Sequence, residues 1–128
     1  MDKGNPTDLC QYLSRYDQLI EIGIGHRSDV AATLTEMDCD VLAVDLIDRP
    51  VPAGVRFFVD DVNQPTISQY RGADAIYALN LPEELHRSVL TLATTVDAAF
   101  HFTTLGNEEP IIPVDRHWVG GELLFTAL

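Results

Sequence analysis

Short apolar runs alternate along the chain with segments in which apolar residues recur every three or four positions. Each apolar run is the length of a strand and ends in glycine or polar residues, which is typical of buried strands. Five strands are predicted in this way, at 19–23, 41–45, 56–59, 73–79 and 98–103. A sixth is expected over 123–128, near or at the edge of the sheet.

The segments between these runs have the periodicity of helices. A leading helix is predicted over 7–16, and a second helix begins after Ser28 and Asp29, which are suitable capping residues. Pro82 is suited to the first position of a third helix, where its missing N–H costs nothing.

Strands that alternate with helices predict right-handed βαβ units and a parallel sheet covered on both faces. We therefore expect an α/β fold with three α/β/α layers, Rossmann-like, with a mostly parallel sheet in the order 3-2-1-4-5 plus one strand. The 128 residues suit a single domain, divided into a leading helix (1–17), a βαβ core (18–103) and a C-terminal loop with an edge strand (104–128).

The charge balance narrows the classes of partner. Twenty acidic residues face eight basic ones, giving a net charge of −12, and Lys3 is the only lysine. Such a surface repels phosphate backbones and anionic lipids, which argues against nucleic acid and membranes as partners. Acid excess with almost no lysine predicts a halophilic archaeal source, and the polar N-terminus predicts a cytoplasmic protein.

Cysteine and histidine provide no sign of a metal site. Cys10 and Cys39 do not form a Cys-x-x-Cys pair, and we expect both to be small, partly buried thiols. None of the four histidines lies three or four residues from another histidine or a cysteine. Among them, His86 is predicted at the surface and His101 in the core.

The turn after the first strand has the composition of a cofactor-binding loop. Gly23 and Gly25 allow the backbone to turn sharply and to approach a ligand closely at the carboxyl edge of the sheet. Asp45 ends the second strand, so its carboxylate should reach the same crevice and accept hydrogen bonds from a ribose. These features together predict a nucleotide-like cofactor.

Two residues distinguish between cofactors. The dinucleotide fingerprint requires a third glycine at the position of Ser28. Glu21 is an acid inside an apolar strand and needs a partner, which could be Arg27, water at the sheet edge or a cationic part of a ligand. S-adenosylmethionine carries an ammonium and a sulfonium, whereas a dinucleotide carries an anionic pyrophosphate.

The segment Glu21-Ile22-Gly23-Ile24-Gly25 resembles the first motif of class I S-adenosylmethionine-dependent methyltransferases. The resemblance implies that the glycine turn passes beside the methionine part of the cofactor and that Asp45 holds the ribose. It also implies that Asp60 or Asp61, after the third strand, lies near the adenine amine. Together with the segment 73–80, the chain resembles a family of small, uncharacterised archaeal proteins with this methyltransferase-like fold.

The chain departs from the methyltransferase pattern in two ways. Arg27 stands where the motif has its third glycine, and the chain has no room for a substrate-recognising insertion. Asn80-Leu81-Pro82 partly resembles the Asn-Pro-Pro-aromatic motif of amino-methylating enzymes, so Asn80 is a candidate catalytic residue, although it could instead cap a helix. A second subunit of a homodimer or another protein is expected to complete the acceptor site.

Two other functions fit the same residues. A dinucleotide-binding protein of the NAD type, an oxidoreductase or redox sensor, would use Asp45 for the adenosine ribose. A degenerate domain without catalysis would serve as an interaction module and would expose an apolar face near 123–125. Tyr77 and Trp118 are expected in the core or at the rim of a site.

Overall fold

The computed structural model describes residues 6–25 and 27–128. It contains three α-helices, seven strands and two short 3₁₀ turns within these ranges. The helices are α1 (Pro6–Leu13), α2 (Asp29–Glu36) and α3 (His86–Val96), and the strands are β1 (Gln18–Ile22), β2 (Asp40–Asp45), β3 (Arg56–Val59), β4 (Ala75–Leu81), β5 (Ala99–Thr104), β6 (Val114–Val119) and β7 (Glu122–Ala127). The 3₁₀ turns are Ile67–Gln69 and Glu83–Leu85.

The seven strands form one sheet in the order β3-β2-β1-β4-β5-β7-β6. Strands β1 to β5 are parallel, which confirms the predicted order 3-2-1-4-5. Strand β7 runs antiparallel to both β5 and β6, so the sheet is mixed. The carboxyl ends of the five parallel strands therefore lie at one edge, beside the start of β7.

Helices cover both faces of the sheet, as predicted for three layers. Alternate residues of each parallel strand point to opposite faces. Leu19 belongs to the apolar cluster under α1 and α2, whereas Ile20 belongs to the cluster under α3. Because both faces are buried, the central strands are apolar throughout, and this is why their positions could be predicted from the sequence.

The β6–β7 hairpin corrects the expected end of the chain. The sequence predicted one strand near or at the edge, whereas β6 forms the edge and β7 lies next to it. Gly120 and Gly121 both have positive φ, at 58° and 83°, which suits a two-residue hairpin turn. Leu124 and Phe125 are buried, so the exposed apolar face near 123–125 that would favour an interaction module is absent there.

The start of the third helix also differs from the prediction. Pro82 has an extended backbone, with ψ at 145°, and α3 begins only at His86 after a 3₁₀ turn. Asn80 therefore lies inside β4 and does not cap the helix. His86 is fully buried rather than at the surface, and its Nε2 lies 3.1 Å from the Leu81 carbonyl oxygen.

The described residues contain no helix that is long and apolar enough to cross a membrane. They also contain no group of three or more His, Cys, Asp or Glu side chains that could hold a metal ion. Cys10 and Cys39 are both buried free thiols, which confirms their prediction, and burial raises the pKa of Cys10 to about 11.

Gly120 holds the hairpin against α1, and we expect Gly120→Ala to destabilise the protein by about 1–3 kcal/mol. A Cβ at this position would lie 2.5 Å from Cβ of Asp8, so the hairpin or the helix must move. The control is Gly106→Ala, which has a similar positive φ of 52° but nothing within 4 Å of the new Cβ. Denaturant unfolding in molar salt measures both variants, and equal losses of stability would contradict the packing explanation.

Candidate functional site

A crevice of about 230 Å³ opens at the carboxyl ends of β1, β2 and β3. Three of the five predicted cofactor residues line it, namely Gly23, Asp45 and Asp61. Most of the remaining lining is apolar, and it consists of Ile22, Val44, Leu46, Val62, Pro82 and Leu85 with the polar Asp60 and Asn63. The other two predicted residues, Glu21 and Gly25, flank this lining in sequence.

The glycine turn adopts the backbone conformation that its sequence requires. Gly23 and Gly25 have φ values of 72° and 53°, in the region that glycine enters without strain. The Gly23 N–H donates to the Val44 carbonyl at 2.7 Å, which holds the turn against the end of β2. A Cβ on Gly23 would meet nothing within 4 Å, so the turn leaves open space at the crevice.

Glu21 lies under this turn and is 1% exposed. The Tyr77 hydroxyl donates to its Oε1 at 2.7 Å, whereas its buried Oε2 has no hydrogen-bond partner among the described residues. Burial raises the pKa of Glu21 to about 8, although the Tyr77 hydrogen bond and the charge of Arg27 act in the opposite direction. Glu21 does not reach the solvent at the sheet edge, and Tyr77 is a partner that the sequence did not reveal.

Asp45 joins the glycine turn to the end of β2. Its Oδ2 accepts the Gly25 N–H at 2.9 Å, and its Oδ1 accepts the Leu46 N–H at 2.7 Å. Arg49 Nε lies 3.4 Å from Oδ2, a pairing that the loop sequence had not suggested. A carboxylate offers about four acceptor positions, so Asp45 can position the turn and still accept a ligand hydroxyl.

The two acids after β3 have different surroundings. Asp60 accepts hydrogen bonds from the Thr66 backbone and from the Tyr70 hydroxyl, at 2.9 and 2.7 Å. Burial opposes ionisation of Asp60, but these hydrogen bonds outweigh it and lower its pKa. Asp61 is exposed at the crevice and accepts one turn hydrogen bond, from the Asn63 N–H at 2.9 Å. Asp61 is therefore the more accessible of the two acids.

Arg27 extends from the glycine turn toward the hairpin. Its Nε lies 3.4 Å from Asp29 Oδ1, and its Nη1 lies 3.6 Å from Glu122 Oε2. The Glu122 side chain is only 8% exposed, and its Oε1 has no hydrogen-bond partner in the described part of the chain. Glu122 was not singled out in the sequence, because only the sheet order brings β7 close to the glycine turn.

A second cavity, of about 330 Å³, lies at the ends of β4 and β5 beside the hairpin. Asn80 lines this cavity and has φ at 58°, with its N–H donating to Thr103 Oγ1 at 2.7 Å. Trp118 is 72% exposed and lines this cavity. Of the two positions predicted for it, core or rim, the structure shows the rim. Asn80 thus lies outside the crevice that holds Gly23, Asp45 and Asp61.

The chain matches the family described as "Uncharacterised protein family (UPF0146)" over residues 5–126. The chain belongs to the UPF0146 family of archaeal proteins. A UPF0146 protein of Halobacterium salinarum is 44% identical over 123 residues, which covers 95% of each chain. Halophilic relatives therefore exist, in keeping with the acidic composition.

Solved structures place this UPF0146 protein among methyltransferase folds. A magnesium protoporphyrin IX methyltransferase from Synechocystis PCC 6803 with bound SAM matches with a TM-score of 0.64 and 11% identity, over 96% of this chain and 78% of that one. An RNA methyltransferase from Salinibacter ruber in complex with S-adenosyl-L-homocysteine matches with a TM-score of 0.63 and 14% identity, over 99% and 92% of the chains. At this identity the likeness shows the fold alone, and it confirms the Rossmann-like, methyltransferase-like prediction.

Proposed function

We propose that this UPF0146 protein binds S-adenosylmethionine at the glycine turn and acts as a methyltransferase-like protein. The observation that carries the proposal is Glu21, a buried acid with one oxygen that lacks a hydrogen-bond partner among the described residues. A buried carboxylate without a full set of partners costs several kcal/mol or remains protonated. A ligand ammonium beside the turn would supply the missing partner, and S-adenosylmethionine carries one.

The crevice residues fit the rest of such a cofactor. Asp45 would accept hydrogen bonds from the ribose hydroxyls, and Asp61 would accept one from the adenine amino group. Leu46 is 63% exposed beside Val62 in the same crevice, and the two would cover the faces of the adenine ring. The bound cofactor would supply an electrophilic methyl group. The task of the protein is then to hold that methyl group in line with an acceptor.

The charge of the crevice favours this cofactor over a dinucleotide. Asp45, Asp60 and Asp61 line it, and none of its described lining residues is basic. Arg49 offsets the charge of Asp45 only, so the three carboxylates leave an excess of negative charge that repels a pyrophosphate and attracts a sulfonium and an ammonium. The dinucleotide hypothesis therefore rests on the glycine turn and on Asp45, which either cofactor would use.

The second cavity is where a methyl acceptor would approach. Asn80 lines the second cavity and lies two residues before Pro82, which lines the cofactor crevice. Asn80 has a positive φ beside the register shift between β4 and β5, and such backbone conformations cluster at functional sites. We therefore keep Asn80 as the candidate that contacts the acceptor. A second subunit or protein partner covering Trp118 would close this side of the site.

Asp45→Asn is expected to weaken binding of S-adenosylmethionine by about ten-fold or more, because the variant loses a charged acceptor at the ribose and at the glycine turn. Asp40→Asn is the matched control, since Asp40 begins the same strand, is exposed and pairs with Arg56 at 2.9 Å. Calorimetric titration of S-adenosylmethionine, S-adenosylhomocysteine and NAD, in molar salt, measures both variants and the wild type. We expect the first two ligands to bind and NAD not to bind. A folded wild-type protein that binds none of them would refute the proposal and would favour the interaction module.

A further inference from the structure

The position of the motif's third glycine is occupied by an arginine, and the surroundings of this arginine suggest why. Arg27 lies among three acids, because it contacts Asp29 and Glu122 and because its charge acts on Glu21. One guanidinium therefore contacts two carboxylates and acts through its charge on a third carboxyl group. Two of the three, Glu21 and Glu122, each have a buried oxygen without a hydrogen-bond partner in the described residues.

The guanidinium N–H groups of Arg27 form no short hydrogen bonds to Asp29 or Glu122. Its contacts with Asp29 and Glu122, at 3.4 and 3.6 Å, are longer than the 2.7–2.9 Å typical of charged N–H···O hydrogen bonds. No hydrogen bond joins Arg27 side-chain N–H groups to any other described residue. Its side chain is 35% exposed, so a ligand can reach it from solvent. A guanidinium has five N–H donors in a planar fork that matches a carboxylate.

The glycine turn thus combines a buried carboxyl group with an unpartnered oxygen, on Glu21, and a guanidinium with unused N–H donors, on Arg27. A ligand ammonium would donate a hydrogen bond to the unpartnered oxygen of Glu21. A ligand carboxylate would accept hydrogen bonds from the guanidinium of Arg27. The two groups occur together, one carbon apart, in an α-amino acid. The adenosine part of a nucleotide carries neither an ammonium nor a carboxylate.

We propose that Arg27 binds the carboxylate of the cofactor's methionine part while Glu21 binds its ammonium, so that the turn recognises an α-amino acid end. This inference rests on the proposed function. Where the motif's third glycine would leave room for the cofactor, Arg27 contributes a direct charge contact instead. The site then discriminates between ligands that differ only in this carboxylate.

Four ligands separate the two contacts: S-adenosylmethionine, S-adenosylhomocysteine, decarboxylated S-adenosylmethionine and methylthioadenosine. For the wild type we expect the first two to bind best, the decarboxylated ligand about ten-fold or more weaker, and methylthioadenosine weaker again. Arg27→Gln should weaken S-adenosylmethionine and S-adenosylhomocysteine by about ten-fold or more but leave the decarboxylated ligand almost unchanged. Arg27→Lys should recover part of the loss, since it restores the charge without the fork.

Arg56→Gln is the control, because Arg56 is an exposed arginine that pairs with Asp40 on the distant edge of the sheet. Circular dichroism and unfolding in molar salt establish that each variant is folded. Equal weakening of the amino-acid ligands and the decarboxylated ligand by Arg27→Gln, or no weakening of either, would overturn the role of Arg27 and leave the proposed function intact. Absence of binding by all four ligands to the folded wild type would overturn both.

Discussion

Replacing Glu21 by glutamine is expected to stabilise the protein and, at the same time, to remove most of its affinity for S-adenosylmethionine. Glutamine keeps the shape of the side chain and can still accept the hydrogen bond from Tyr77. It removes the cost of keeping a buried carboxyl group protonated, and it removes the group that would ionise to pair with the ligand ammonium. A substitution that improves the fold and harms the ligand site is typical of a residue retained for function.

The size of the stabilisation should depend on pH. The pKa of Glu21 is raised from 4.5 to about 8, so the folded protein keeps a proton that the unfolded chain loses above pH 4.5. Stability from this group is therefore fully present below pH 4.5 and is lost as the pH rises toward 8. The advantage of Glu21→Gln should be near zero at acid pH and should reach about 3 kcal/mol at neutral pH.

Denaturant unfolding between pH 4.5 and 8 measures this difference. Glu36→Gln, on the exposed side of α2, removes a carboxylate without touching the buried site and should show no such growth with pH. A constant difference between Glu21→Gln and wild type over the whole range would show that Glu21 is already ionised. Calorimetry in buffers of different ionisation enthalpy gives an independent test. Binding of S-adenosylmethionine near pH 7 should release up to one proton from the wild type, and none from Glu21→Gln.

Acidification should destabilise the protein through His101. This residue lies in β5 and is 2% exposed, as predicted for a core histidine. Its Nε2 lies 2.8 Å from the Tyr16 hydroxyl, and its Nδ1 lies 2.8 Å from Thr126 Oγ1. Burial, with smaller effects from the charges of His117 and Arg15, lowers the pKa of His101 from 6.5 to about 4.

The unfolded chain therefore binds a proton at this histidine below pH 6.5, whereas the folded protein binds it only below about pH 4. Stability falls over this interval, by up to about 3 kcal/mol in total. In the wild type this loss is masked, because Glu21 stabilises the fold as the pH falls over an overlapping interval. Unfolding should therefore be measured in the Glu21→Gln protein, where the contribution of His101 stands alone.

In that background, His101→Gln should remove the fall in stability between pH 6.5 and 4. The substitution should also lower stability at pH 7 by about 1–3 kcal/mol, because Tyr16 and Thr126 lose a well-placed partner. His117→Gln is the comparison, since His117 bonds the same threonine but is only half-buried. If the acid-induced loss survives His101→Gln, another group carries it.

The parallel strands were predicted from the sequence, whereas the edge strand β6 was not. The parallel strands and the turn at Gly23 could be predicted because each depends on local chemistry, namely apolar runs between buried faces and glycine at positive φ. Strand β6 was missed because it is an edge strand with exposed, charged positions and no continuous apolar run. Its signal was the Gly120-Gly121 pair, which is typical of a hairpin.

The sequence by itself determined the layer architecture, the sheet order of the first five strands and the place of the glycine turn. These follow from the period of the apolar residues and from the handedness of βαβ units, which do not depend on distant contacts. Only the tertiary structure decided which partners the charged groups have. Tyr77 reaches Glu21 from a neighbouring strand, and Glu122 reaches Arg27 from the hairpin, across long sequence separations. Charges act through space, so the chemistry of this turn becomes visible only when the sheet has brought those residues together.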